Sequence, residues 1–199
     1  MKRAVRKHGL MTRLVHMGLA VAVILQLFTS LLMQSPSRTD PGNWLFEIHE
    51  ISGLTALAFA FLFWIVLVSR RHGTDGAALF PWFSSSRRSV LWQDTKDHLV
   101  ALRVLSFPAY KDHSPLASAV HGLGLLLMSA MTLSGSLFYL AKLYSVQESA
   151  AAQVSLELHH FGGNLAWAYL IGHAGLATIH HFTLSLSLAE MWSLRRQVD

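Results

Sequence analysis

Residues 159–182, HHFGGNLAWAYLIGHAGLATIHHF, carry no formally charged side chain and are apolar enough to read as a helix crossing a bilayer, yet they include five histidines. His173 follows His159 by fourteen residues. At helical rise that places it about 21 Å deeper, within roughly 40° of the same helix face. One helix therefore offers two imidazoles, one above the other. Ionisable or metal-ligating side chains inside a span are costly and usually functional, so partners are expected at both depths.

The rest of the chain has the composition of a membrane protein. Of its 199 residues 52% are hydrophobic and 14% charged, where soluble chains carry about 25% charged residues; its mean hydropathy is +0.39. A soluble enzyme with one core is excluded, and so is a disordered chain. Four stretches are long and apolar enough for a span of roughly 20 residues: 14–33, 48–69, 116–140 and 159–188. The expected fold is an all-α membrane protein, a four-transmembrane-helix bundle forming one domain over 1–199. The basic start, MKRAVRK, is followed by an apolar run too long for a signal peptide, and that run is expected to be retained as the first span. The chain has no cysteine, which excludes disulfides, thiolate metal sites, iron–sulfur clusters and covalent haem attachment.

Charge sets the orientation. Fourteen of the sixteen Lys and Arg residues lie in the N-terminal segment (Lys2, Arg3, Arg6, Lys7, Arg13), the loop 70–114 (Arg70, Arg71, Arg87, Arg88, Lys96, Arg103, Lys111) or the tail (Arg195, Arg196). By the positive-inside rule both termini and that loop are cytoplasmic. These charges flank spans instead of forming a soluble patch, so no nucleic-acid partner is expected. Within the loop, 89–105 (SVLWQDTKDHLVALRVL) reads as an amphipathic helix on the cytoplasmic interface, or one covered by a soluble partner.

With this topology His16 lies near the cytoplasmic face, level with His173, and His49 near the outer face, level with His159. Two depth-matched pairs are what two bis-histidine haems in a four-helix bundle need. The competing reading of any one such histidine is a hydrogen bond to a neighbouring helix; matching by depth, under an orientation fixed separately, favours ligands. His121 falls on the cytoplasmic side, where a pair is already complete. His160 faces about 100° away from His159, His180 and His181 mark the cytoplasmic exit, and His8, His72, His98 and His113 read as surface residues. Arg13, one turn before His16, suits a haem propionate or a snorkelling topology charge. Gly53, Gly135, Gly162, Gly163 and Gly172 leave room for a flat macrocycle or for close helix packing.

Four motifs together resemble the bacterial cytochrome b561 and nickel-iron hydrogenase cytochrome b superfamily, which includes cytochrome b subunits of formate dehydrogenases. They are Arg13-Leu-Val-His16, His49 to Gly53, His121 with Gly135, and His159…Asn164…His173-Ala-Gly-Leu-Ala-Thr-Ile-His180-His181. The resemblance implies a bacterial inner-membrane, multi-pass cytochrome with two non-covalent b haems and a quinone site. Carried over, it pairs His16 with His173 and His49 with His159, as depth does. Met17 stands where many members have Trp, and Ser118 where some free-standing members have a histidine.

The leading functional expectation is electron transfer across the membrane between a respiratory partner and the quinone pool. That partner is a dehydrogenase subunit or a c-type cytochrome; the outer segments sum to a charge of −3, which suits a basic partner. A sister reading is a stand-alone quinone oxidoreductase, such as a superoxide:quinone oxidoreductase. A third, a haem-free His-lined metal transporter or sensor, fits less well, because no Asp or Glu lies deep in the spans. Quinone chemistry needs titratable groups and a path to water. The cytoplasmic side supplies His121, with Lys111, Asp112 and His113 nearby; the outer side has Glu47, Glu50 and Glu157.

Overall fold

The computed structural model describes residues 8–36, 39–70, 74–104, 114–183 and 187–193. Four long helices make the body: α1 (Leu10–Leu32), α2 (Trp44–Ser69), α5 (Pro115–Leu143) and α6 (Ala150–Phe182). Shorter pieces sit between and after them: α3 (Gly76–Leu79), a 3-10 turn (Pro81–Phe83), α4 (Ser85–Arg103) and α7 (Ala189–Trp192). No strand occurs among the described residues. The helices form a ring in which α1 packs on α2, α2 on α5 and α5 on α6, with a sparser α1–α6 side closing it.

Small residues make the close contacts and large apolar ones point outward. Leu19, Ala22, Ala56 and Ala60 form one buried cluster, and Leu27, Met128 and Ala166 another. Phe28, Phe61, Leu133 and Phe161 are exposed. Helices that meet through small residues while turning their bulk outward are packed for lipid surroundings. Among the described residues three helices are long and apolar enough to cross a membrane: α1, α2 and α5. The fourth expected span is α6, 33 residues long, whose histidines and Asn164 dilute its apolar character.

Each long helix begins before the apolar run that announced it, because hydrogen bonding starts at a capping residue and not at the edge of the oil, while α6 ends at Phe182, short of the expected 188. Asn43 accepts from the Phe46 amide at 3.3 Å to start α2, and its own amide reaches Leu32 O at 3.0 Å, tying the hairpin to α1. Ser149 starts α6 nine residues before His159 by accepting from the Ala152 amide. Ser114 caps α5, with Pro115 in the first turn. The buried Asp94 carboxylate accepts from Ser114 Oγ (2.8 Å) and the Leu116 amide (3.0 Å), anchoring the middle of α4 to the positive end of α5.

That loop helix begins four residues earlier than expected and ends at Arg103; Leu105 lies outside the described residues. Leu91, Asp94, Thr95, His98 and Ala101 turn inward, while Val90, Trp92, Leu99 and Val100 stay exposed. Ahead of α4 the chain dips against the bundle. Phe80 stacks on Trp64 (centroids 5.7 Å, planes 9° apart), and Leu79 lies on α5 at Gly122. A Cβ on Gly122 would sit 2.0 Å from the Leu79 carbonyl oxygen, a backbone atom that cannot swing aside. Gly122→Leu is therefore expected to cost at least the 1–3 kcal/mol typical of overpacking, at about several degrees of thermal midpoint. Thermal unfolding in detergent checks this; an unchanged midpoint contradicts the contact.

Candidate functional site: two histidine pairs

The bundle brings together the four histidines matched by depth. His16 of α1 faces His173 of α6, with ring centroids 6.3 Å apart and planes at 59°. His49 of α2 faces His159 of α6, with centroids at 6.1 Å and planes at 88°. These separations can be compared with two imidazoles sharing one metal atom. Each metal–nitrogen bond is about 2 Å, and about 1.1 Å more separates each nitrogen from its ring centre. The sum is roughly 6.2 Å, and both pairs match it.

The outer pair has its remaining nitrogens secured. Thr29 Oγ1 lies 3.0 Å from His49 Nδ1 and 2.8 Å from Leu25 O, so with its own proton on Leu25 O it can accept from the ring. His159 Nδ1 lies 3.0 Å from Met131 O, an atom that can only accept, and 3.2 Å from Ser134 Oγ. His159 therefore carries its proton on Nδ1, and the Thr29 contact allows the same tautomer for His49; this leaves the Nε2 lone pairs for a metal, the usual arrangement of an oriented imidazole ligand. Gln26 adds a backbone tie: its amide donates to His49 O and, at 2.6 Å, to Ser52 Oγ. Gly135 is the floor beneath His159, since a Cβ there would come within 2.9 Å of the ring. Of the other glycines singled out, Gly162 meets Met131 and Gly53 meets Gln26, while Gly163 and Gly172 have open space beside them.

The inner pair is held by rings. Tyr169, one turn before His173, lies flat against it (5.3 Å, 8°), and His121 meets it edge-on (5.1 Å, 79°). Trp192 of α7 approaches His16 edge-on at 6.3 Å. His16 Nδ1 is buried with no hydrogen-bond partner among the described residues. Arg13 is only 2% exposed and donates to Ser193 O. The C-terminal segment thus covers the guanidinium that the sequence assigned to a propionate.

The remaining candidates are dispersed. His160 is exposed, and His180 and His181 lie half-buried in the last turn of α6. His98 pairs with Asp94 on α4. His72, Lys111, Asp112 and His113 fall outside the described residues. At the outer end of the bundle Lys142 bonds Glu50 and lies 4.9 Å over the Phe46 ring, so these two charges cancel beside the outer pair.

Thr29, Ser134, Gln26 and Tyr169 were not singled out in the sequence. Only Tyr169 left a readable trace there, four residues before His173 on the same helix face. The site is thus two facing imidazole pairs stacked along one helix, at spacings suited to metal ligation.

A family model described as prokaryotic cytochrome b561 matches residues 7–194, nearly the whole chain. The chain belongs to the prokaryotic cytochrome b561 family. It is accordingly a membrane b-type cytochrome, a haem protein of electron transport. No curated protein and no solved structure matches it.

Proposed function

We propose that this cytochrome b561 family member holds two non-covalent b haems and moves electrons between a respiratory partner and the quinone pool. The observation that carries the reading is the pair of facing histidine couples at 6.3 and 6.1 Å. His16 and His173 would hold the inner haem, His49 and His159 the outer one, and each haem would supply reversible one-electron iron chemistry. Thr29, Met131 and Ser134 orient the outer imidazoles. Tyr169 and His121 confine His173 on two sides, and the α6 backbone fixes the distance between the levels. In this reading α6 is the fourth span and both termini face the cytoplasm of a bacterial cell. The helix α4 lies along the inner membrane surface, with Trp92 and Leu99 in the interface and Lys96 and Arg103 beside them. His121 borders the quinone site, and an outward-facing dehydrogenase subunit or c-type cytochrome is the electron partner.

The histidines also argue against a metal-ion transporter. Among the described residues no three His, Asp or Glu side chains converge on one point; the close pairs suit a planar group with two axial positions. The test is haem stoichiometry. Pyridine haemochrome per mole of chain should give two b haems, all extracted by acid acetone, with sharp low-spin bands on reduction. One haem per fully loaded chain rejects the two-pair assignment.

A further inference from the structure

The two histidine pairs differ in what holds their outer nitrogens. At the outer level both Nδ1 atoms have hydrogen-bond partners: His49 Nδ1 lies 3.0 Å from Thr29 Oγ1, which accepts in the tautomer that leaves Nε2 for a metal, and His159 Nδ1 donates to Met131 O at 3.0 Å with Ser134 Oγ at 3.2 Å. At the inner level no hydrogen bond from His16 Nδ1 or the His173 ring occurs among the described residues; aromatic faces and edges take that place. An acceptor on Nδ1–H pushes electron density into the imidazole and makes it a stronger donor to the metal. Stronger donation stabilises oxidised iron and lowers its reduction potential.

We infer that Thr29 and Ser134 are positioning residues that hold the His49–His159 centre at a lower midpoint potential than the His16–His173 centre. This rests on the two-haem reading above. Electrons arriving at the outer level then run downhill toward the inner one. Thr29 is the more important of the two, because its hydroxyl is the one acceptor for His49 Nδ1 among the described residues, whereas His159 keeps Met131 O when Ser134 is changed.

The experiment is a redox titration of the full-length protein followed by optical and electron paramagnetic resonance spectroscopy. His49→Ala identifies the outer centre by the midpoint it removes, which should be the lower one. Thr29→Val should raise that midpoint, leave the other in place and shift one low-spin signal only. Thr29→Ser should restore the original value, since it returns the hydroxyl, and Ser134→Ala should move the same midpoint upward by less. Two retained haems with unmoved midpoints in both Thr29→Val and Ser134→Ala overturn the inference, as does loss of the upper midpoint in His49→Ala. A wild-type protein with fewer than two titrating haems overturns the two-haem reading instead. If Thr29→Val fails to fold, Ser134→Ala and Thr29→Ser still decide: Ser134→Ala must raise the lower midpoint while Thr29→Ser leaves it in place.

Discussion

His16→Ala and His173→Ala should each remove one haem, and the same one, while His49→Ala and His159→Ala remove the other. Each pair spans two helices, α1 to α6 or α2 to α6, at a centroid distance suited to a shared metal. Removing either imidazole leaves one histidine of the pair and a gap where its partner stood. The effect should be strongly non-additive: the double variant His16→Ala, His173→Ala loses no more haem than either single one, because both act on one group. Haem content should fall from two per chain to one in every case, with one of the two midpoints vanishing. Matched losses within a pair and complementary losses between pairs are the expected pattern. Loss of one shared haem in His16→Ala and His159→Ala would break it.

The pairing was open to sequence reasoning because two independent signals met. Basic flanks gave each span a direction, and the fourteen-residue step from His159 to His173 gave two depths on one helix face. What surrounds the pairs was much less accessible. Thr29 bonds Leu25 O in its own helix, as span hydroxyls commonly do, and nothing in its spacing announces that it also receives His49. Met131 contributes a backbone carbonyl, which no side-chain pattern encodes. Arg13 read as a propionate partner or a flanking topology charge, yet its guanidinium is buried and bonds Ser193 O, 180 positions away in the chain. The dip of Leu79 onto Gly122 was equally hidden, since one short backbone contact imposes no periodicity. Helix ends were misjudged for a simpler reason: hydropathy marks the part of a helix that wants lipid, whereas Asn43 and Ser149 mark where its hydrogen bonds begin.

His121→Phe should slow quinone-linked turnover by about a hundredfold, the lower bound of what a positioned proton donor contributes, without loss of either haem. Its ring meets His173 edge-on at 5.1 Å, beside the inner pair, yet His121 itself remains exposed on α5. That combination is what a quinone needs: contact with the redox centre on one side and access from the surroundings on the other. An imidazole ring can hydrogen-bond a quinone carbonyl through one nitrogen and relay a proton to it. Phenylalanine keeps the edge contact with His173 and its apolar bulk but removes both ring nitrogens, so the substitution separates proton delivery from packing. The control is haem content and both midpoints, which should match the unmodified chain. His121→Gln should recover part of the rate, since it restores a hydrogen bond to the carbonyl but has no group that relays a proton. Full turnover and unchanged quinone affinity in His121→Phe would move the site to the outer level, where Glu47 and Glu157 stand near His49 and His159 in sequence. An inner site also fits the potential order inferred from Thr29 and Ser134, because in the proposed orientation the downhill path ends on the side where protons would enter.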